Sequence, residues 1–309
     1  MEFHPFPPVP LLVAPVFILS VAIEWWAVRS QRARGRYTTR DALTSITMGI
    51  GNVAVNTLTG MLGVTMMLVA WPYRFMTFTD NWWTISLCFC LYDFVYYWKH
   101  RFAHRARWWW MEHVTHHSSE HYNLTTALRQ PWFGPFTGLV WLGLPLVLLG
   151  LHPYVIFFVA SLNLVYQFWI HTESIGKLPP WIEAVMNTPS HHRVHHATNP
   201  RYLDSNYGGV FIVWDRMFGT FVEERRDDPP AYGLAEPLDS YNPFVVAYHE
   251  LVGLVRDCAG DGLKPDRWIG RLVNPPGWCP DGKHNRSMER KKAYIRKYPE
   301  QAGQPGLPE

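Results

Sequence analysis

The chain has 309 residues, among them 16 Trp, 15 Tyr, 17 Phe and 15 His, with 17% charged residues and four cysteines. A formal charge of +3 with neutral histidines excludes a strongly cationic nucleic-acid binder, and the aromatic, apolar composition excludes a disordered polymer. Cys88, Cys90, Cys258 and Cys279 form no CxxC pair, so neither a disulfide framework nor a thiolate zinc site is expected.

Mean hydropathy is near zero, yet the apolar residues are bunched. Val9 to Val28 is one run, broken only by Glu24; no basic segment precedes it and it ends in Glu24-Trp25-Trp26, so it is expected to be a retained anchor and not a cleaved leader. A second run, Leu43 to Trp71, lies in a window from Ala42 to Tyr73 without a charged residue, and a third, Trp82 to Trp98, contains only Asp93. Phe136 to Leu151 and Tyr154 to Ile170 form a short hairpin turning at Gly150 to Pro153. Runs of about 20 apolar residues suit a bilayer span, so the predicted fold is all-α, a multi-pass membrane helical bundle. The link from Arg29 to Arg40 holds five Arg, and the next link, from Pro72 to Asn81, only Arg74. The excess of Arg puts that first link in the cytoplasm, and the N-terminus, with His4, on the other side. The same orientation brings every clustered histidine to the cytoplasmic face as a helical cap.

Those histidines fall at metal-ligand spacings. His100 and His104, four apart, share a helix face that continues the third run; His113, His116 and His117 share another, and His192, His195 and His196 repeat the pattern after a Thr188-Pro189 helix start. His171 closes the fifth run. Imidazole suits iron, zinc and copper, so ligand type leaves the metal open. Asp93, His121, Gln167 and His191 are candidates to orient these ligands, and Asp93, inside a span, is expected to meet a histidine from another element. Other nearby carboxylates are Glu112, Glu120, Glu173 and Asp204. His152, His249 and His284 stand alone and are expected to be ordinary surface or interfacial residues, as is His4. Beyond His196, Asn242-Pro243 predicts a helix to about Arg256, and from Asn274 onward loop and a frayed end are expected. Three regions result: an anchor region over 1–81, a histidine domain over 82–221, and a cytoplasmic C-terminal region over 222–309.

His100-x3-His104, His113-x2-His116-His117, His171 and His192-x2-His195-His196 together resemble the histidine boxes of the fatty acid hydroxylase and sterol desaturase superfamily of membrane non-haem diiron oxygenases. The segments 117–130, 166–173, 187–196, 206–209 and 214–220 look most like the alkylglycerol monooxygenase branch. The resemblance implies two iron ions held by these nine histidines, and O2 and two electrons consumed in hydroxylating or desaturating a lipid. It also implies a separate electron donor: a ferredoxin, a cytochrome b5 or a pterin. Animal members of that branch carry an acid directly after the second histidine and use tetrahydrobiopterin; here that position is Arg105, which speaks against the pterin. Asn123, Arg129 and Gln130 are candidates to hold a lipid head group, and Trp108 to Trp110 suit the membrane interface. Two rival functions are a histidine-rich metal transporter or buffer, which would place its ligands near the midplane of the spans, and a dinuclear zinc hydrolase.

Overall fold

A computed structural model of the chain describes residues 9–79 and 81–308; His4 lies outside them. The described residues form helices and loops with no strand beyond one isolated bridge between Met186 and Phe211.

Helix α1 (Val9–Arg29) is long and apolar enough to cross a membrane, and almost none of it is buried against the rest of the chain. Its one internal charge is the exception. Glu24 is buried and accepts hydrogen bonds from Tyr37, Thr172 and the Leu124 amide, which ties α1 to the histidine-bearing loops. Helix α2 (Thr39–Ala70) runs on into a 3-10 turn, Trp71–Tyr73, and the stretches Thr39–Thr59 and Leu62–Tyr73 are bent by 42° to one another. Helix α3 (Trp82–Arg105) starts where the Asn81 side chain accepts the Thr84 N–H at 3.0 Å, and it runs straight through the third apolar run into His100 and His104.

The fourth run differs from the expected single helix. Gly138 sits at φ +79° and breaks it into a 3-10 turn, Leu139–Gly143, and a short α5 (Leu144–Leu149). Gly150, at φ +111° with its Cα against the Met76 carbonyl, where a Cβ would come within 2.3 Å, then makes the predicted hairpin into α6 (Pro153–Trp169). Both members are apolar, and both are shorter than a full span.

The apolar core joins these helices: Met67 of α2, Cys88 of α3, Leu146 and Val147 of α5, and Val155, Ile156 and Val159 of α6 form one buried cluster. At the far end of α3 the chain turns at Ala106, in extended conformation, into α4 (Arg107–His117). The layer there is completed by α7 (Pro180–Glu183), α8 (Pro189–His195) and α9 (Val213–Met217) with long loops.

Asn242 caps α10 (Pro243–Gly260) as its sequence predicts, its side chain accepting the Phe244 N–H at 3.0 Å; the helix runs one turn past the expected end. Helix α11 (Pro265–Val273) follows. The expected frayed end is in fact folded. Helix α12 (Ser287–Lys297) opens on a capping box between Arg286 and Glu289, and the last residues fold back so that Lys291 donates to the Gly306 carbonyl at 2.7 Å and Leu307 is buried. All four cysteines are free.

Candidate metal centre

The nine boxed histidines meet in two groups. His100, His104, His113, His117 and His195 form one, and His116, His171, His192 and His196 the other, each with its candidate ligand atoms within 4.8 Å of one another. The helical spacings explain the split. Within α4, His113 and His117 lie one turn apart and join the first group, while His116, rotated off that stripe, joins the second. In the third box, His195 goes to the first group and His192 and His196, again one turn apart, to the second.

The rings point their Nε2 atoms inward. His100 and His113 approach at 2.8 Å between Nε2 atoms, His113 and His117 at 3.1 Å, His117 and His195 at 3.1 Å, His116 and His171 at 3.0 Å, and His171 and His192 at 3.0 Å. The outer nitrogens are held by carbonyls: Nδ1 of His100 on Tyr207 at 2.8 Å, of His195 on Ser205 at 2.9 Å, of His171 on Gln167 at 2.7 Å and of His116 on Arg129 at 3.3 Å. A carbonyl only accepts, so each of these four Nδ1 atoms carries the proton and each Nε2 of the neutral ring is a bare lone pair. Buried Nε2 of His104 and of His196 and Nδ1 of His192 have no hydrogen-bond partner, and an unsatisfied buried polar atom costs about 1–3 kcal/mol. A cation among the Nε2 atoms would satisfy those of His104 and His196 and separate the facing lone pairs, and carbonyls on the outer nitrogen are the usual partners of metal-bound imidazole.

Burial also keeps these rings neutral. It lowers His116 to about 4, and it lowers His117, His192, His195 and His196 well below the ordinary histidine range, with neighbouring imidazoles pushing the same way. Neutral imidazole is the form that binds metal.

Two buried aspartates set the loop that supplies the carbonyls. Asp215 accepts the Tyr207 and Gly208 amides, each at 2.7 Å, and Thr220 Oγ1 at 2.6 Å. Asp93 accepts the Val210 and Phe211 amides at 2.8 and 3.1 Å, Trp214 Nε1 at 2.9 Å and Asn163 Nδ2 at 2.6 Å. The expectation that Asp93 meets a histidine is therefore corrected. Its lone pairs are taken by the 210–214 loop, and it acts on His100 and His195 only through that loop. The residue that does reach a boxed histidine is Asp204, 3.7 Å from His104 Nδ1 and 3.4 Å from Arg105.

A cavity of about 690 Å³ opens on both histidine groups, touching His100, His113, His116 and His171. Its remaining wall is mostly apolar and comes largely from α1 and α2, including Leu11, Phe17, Ile18, Ile50 and Val53. Its polar lining residues Lys99, Glu112 and Gln167 each precede a boxed histidine by one residue or one turn, and Gln130 adjoins Arg129, whose carbonyl holds His116.

The family model described as fatty acid hydroxylase matches residues 85–220, the stretch that contains both histidine groups and the aspartate-held loop. That stretch is similar to the fatty acid hydroxylase family. An alkylglycerol monooxygenase of Xenopus tropicalis is 42% identical over 267 residues, which are 86% of this chain and 57% of the relative. That of Homo sapiens is 39% identical over 241 residues, 77% of this chain and 52% of the relative. An ornithine lipid hydroxylase of Rhizobium tropici is 24% identical over 184 residues, 59% of this chain and 55% of the relative. The chain thus spans little more than half the length of these relatives. No solved structure matches it.

Within the matched stretch the other sequence candidates separate. Gln130 lines the cavity, and its Nε2 donates to the Ala127 carbonyl. Asn123 does not face the cavity. It is buried in its own loop, its Oδ1 accepting from Thr125 and its Nδ2 donating to the Arg36 carbonyl. Arg129 is 1% exposed and pairs with Asp41 of α2 at 2.9 Å, so its guanidinium is a structural strut. His191 lies outside both groups and pairs with Glu183 at 2.9 Å; His121 also lies outside, only its backbone carbonyl taking hydrogen bonds, from Ser119 and Thr126. Gln167 supports His171 by its backbone carbonyl and spends its side chain on Asn163 and Tyr96. Sequence reasoning missed Asp41 and Asp215, although the segment holding Asp215 was part of the recognised pattern.

Proposed function

We propose that this protein is a multi-pass membrane oxidoreductase that uses O2, and electrons from a separate donor such as a ferredoxin, a cytochrome b5 or a pterin, to hydroxylate or desaturate a lipid. The nine histidines would hold two irons on the cytoplasmic side. The observation that carries this reading is the cavity: one wall consists of histidines from both groups, and the other of apolar residues from α1, the helix best suited to the bilayer. A lipid chain could enter it sideways from the membrane.

Bound iron would supply the redox chemistry with O2 that no side chain here can perform. The chain's own residues do the rest. Carbonyls of Tyr207, Ser205, Gln167 and Arg129 keep Nδ1–H bound and Nε2 free, the apolar wall excludes water, and the aspartate-held loop fixes ring orientation. Polar lining residues gather at the histidine end, so a lipid would put its head group near Lys99, Glu112 and Gln130 with its chain along α1 and α2. An ether lipid or a sterol fits this polarity.

Ligand number favours iron over the zinc hydrolase: one group gathers five histidines, more than the four of a closed tetrahedral zinc site. A transporter is disfavoured because His100 and His104 sit in the last turns of α3 and His171 beyond the end of α6.

The test is mass spectrometry of lipids from cells with and without the protein. The proposal expects one lipid class to gain an oxygen atom or lose two hydrogens in the presence of the protein, and to lose that change with His171→Ala. Identical lipid profiles with the metal-loaded protein abundant would overturn it.

A further inference from the structure

The hairpin of α10 and α11 is built inside out. On α10, Glu250 and Asp257 turn toward the body of the protein and pair with Arg107 at 2.6 and 2.5 Å, while the opposite face presents Phe244, Val252 and Val255. On α11, Arg267 and Arg271 turn inward to Asp261, and Arg271 also to Asp257 at 3.3 Å, while Ile269 and Val273, one turn apart, face out. Leu263, in the turn between them, is 92% exposed. Helices at an aqueous surface show the reverse arrangement, with charge outward and apolar residues inward; Arg256, Lys264 and Asp266 are the charges exposed with this apolar face.

The surroundings identify what covers it. The start of α10 is packed on α2, where Val246 and Ala247 bury against Met48, inside the uncharged window 42–73. Phe244 meets Trp132 edge to face at 5.4 Å, and Trp132 in turn donates to the Met48 carbonyl at 2.9 Å. Met48 belongs to a helix read as membrane-spanning, so α10 is seated on the flank of that helix with its outer face turned away from the protein. The far end of α11 is fixed at the foot of α4, where the Arg107 amide donates to the Asn274 carbonyl at 2.9 Å, next to Trp108 to Trp110.

We propose that the α10–α11 hairpin is an in-plane membrane anchor, its outer face seated among lipid head groups and upper acyl chains and its ion pairs sheltered beneath. The inference rests on the membrane reading given above. It assigns to the C-terminal region the task of holding the histidine layer flat against the bilayer, beside the cavity that α1 and α2 line.

The test uses the full chain reconstituted in phosphatidylcholine vesicles that contain a phosphatidylcholine with a photoactivatable diazirine in its upper acyl chain. After irradiation and digestion, peptides covering α10 and α11 are expected to carry lipid adducts to an extent similar to α1, and the charged α12 peptide to carry none. Val255→Asp, an exposed change, should lower labelling of α10 and leave that of α1 unchanged. Adducts on α1 with none on α10 and α11 would overturn the anchor alone; a chain unlabelled even on α1 would overturn the membrane reading and the anchor with it.

Discussion

His116 and His171 face each other with their Nε2 atoms 3.0 Å apart, although the Nδ1–H of each is already given to a backbone carbonyl. In the neutral state two lone pairs therefore meet in a buried site, an arrangement that is repulsive unless a proton or a metal ion lies between or beside them. A proton is disfavoured, because burial lowers both rings below the ordinary histidine range. The pair thus argues for a metal from the fold itself, independently of any likeness to other proteins.

Acidification should destabilise the metal-free protein. The folded His116 has its pKa lowered to about 4 by burial, against about 6.5 when unfolded. A depressed folded pKa means that the unfolded chain binds more protons between those values, so stability is full above about pH 6.5 and falls as pH drops toward 4. One such ring accounts for a loss of the order of 3 kcal/mol, and the other buried rings act in the same direction. Thermal melts of chelator-treated protein between pH 7.5 and pH 4.5 should show this fall (~3 units, a span chosen to cross the window). Bound metal should move the fall to lower pH, because protons and metal compete for the same nitrogens.

Asp93→Asn should weaken metal binding without touching a ligand. The carboxylate accepts four hydrogen bonds, three of them from the 210–214 loop, and an amide in its place presents donors to donors. The loop carbonyl that holds His100 shifts with it. A loss of about 10–100-fold in metal affinity, read by anaerobic titration, is the expected size for a supporting residue. Affinity unchanged from the parent protein would remove Asp93 from this role.

Arg129→Leu should unfold the histidine layer more readily and not merely weaken lipid binding. It leaves Asp41, itself 1% exposed, as an unpaired buried charge, a change that costs about 3–5 kcal/mol. The double variant Asp41→Leu with Arg129→Leu should recover much of that loss. Thermal melts of the parent and the two variants decide. If Arg129→Leu melts like the parent and only lipid affinity falls, Arg129 is a head-group ligand after all.

The helices and the nine histidines were legible because both depend on local spacing: four-residue steps in α3, the three-and-four step in α4 and α8, and Asn242-Pro243 at the start of α10. The division of the nine into five and four was not, since it depends on how α3, α4, α6 and α8 meet in space. Asp93 was legible as an exception within an apolar run, but its partners come from 70 to 121 residues away. Arg129 and Asn123 looked like head-group ligands because they are polar and follow a histidine box. Burial against Asp41 and Arg36, invisible in the sequence, turned them into struts. The tail from Asn274 has the Gly, Pro and charge of a loose end, yet contacts to the Gly306 carbonyl and to Leu307 hold it down.

Metal analysis combined with Mössbauer spectroscopy of protein purified without oxygen asks whether the two histidine groups each hold an iron. Two equivalents of iron per chain are expected, in high-spin nitrogen-rich sites of five or six ligands, with His171→Ala losing the iron of the second group. Full occupancy of both groups by zinc in closed tetrahedral coordination, with no iron bound on reconstitution, would contradict this expectation.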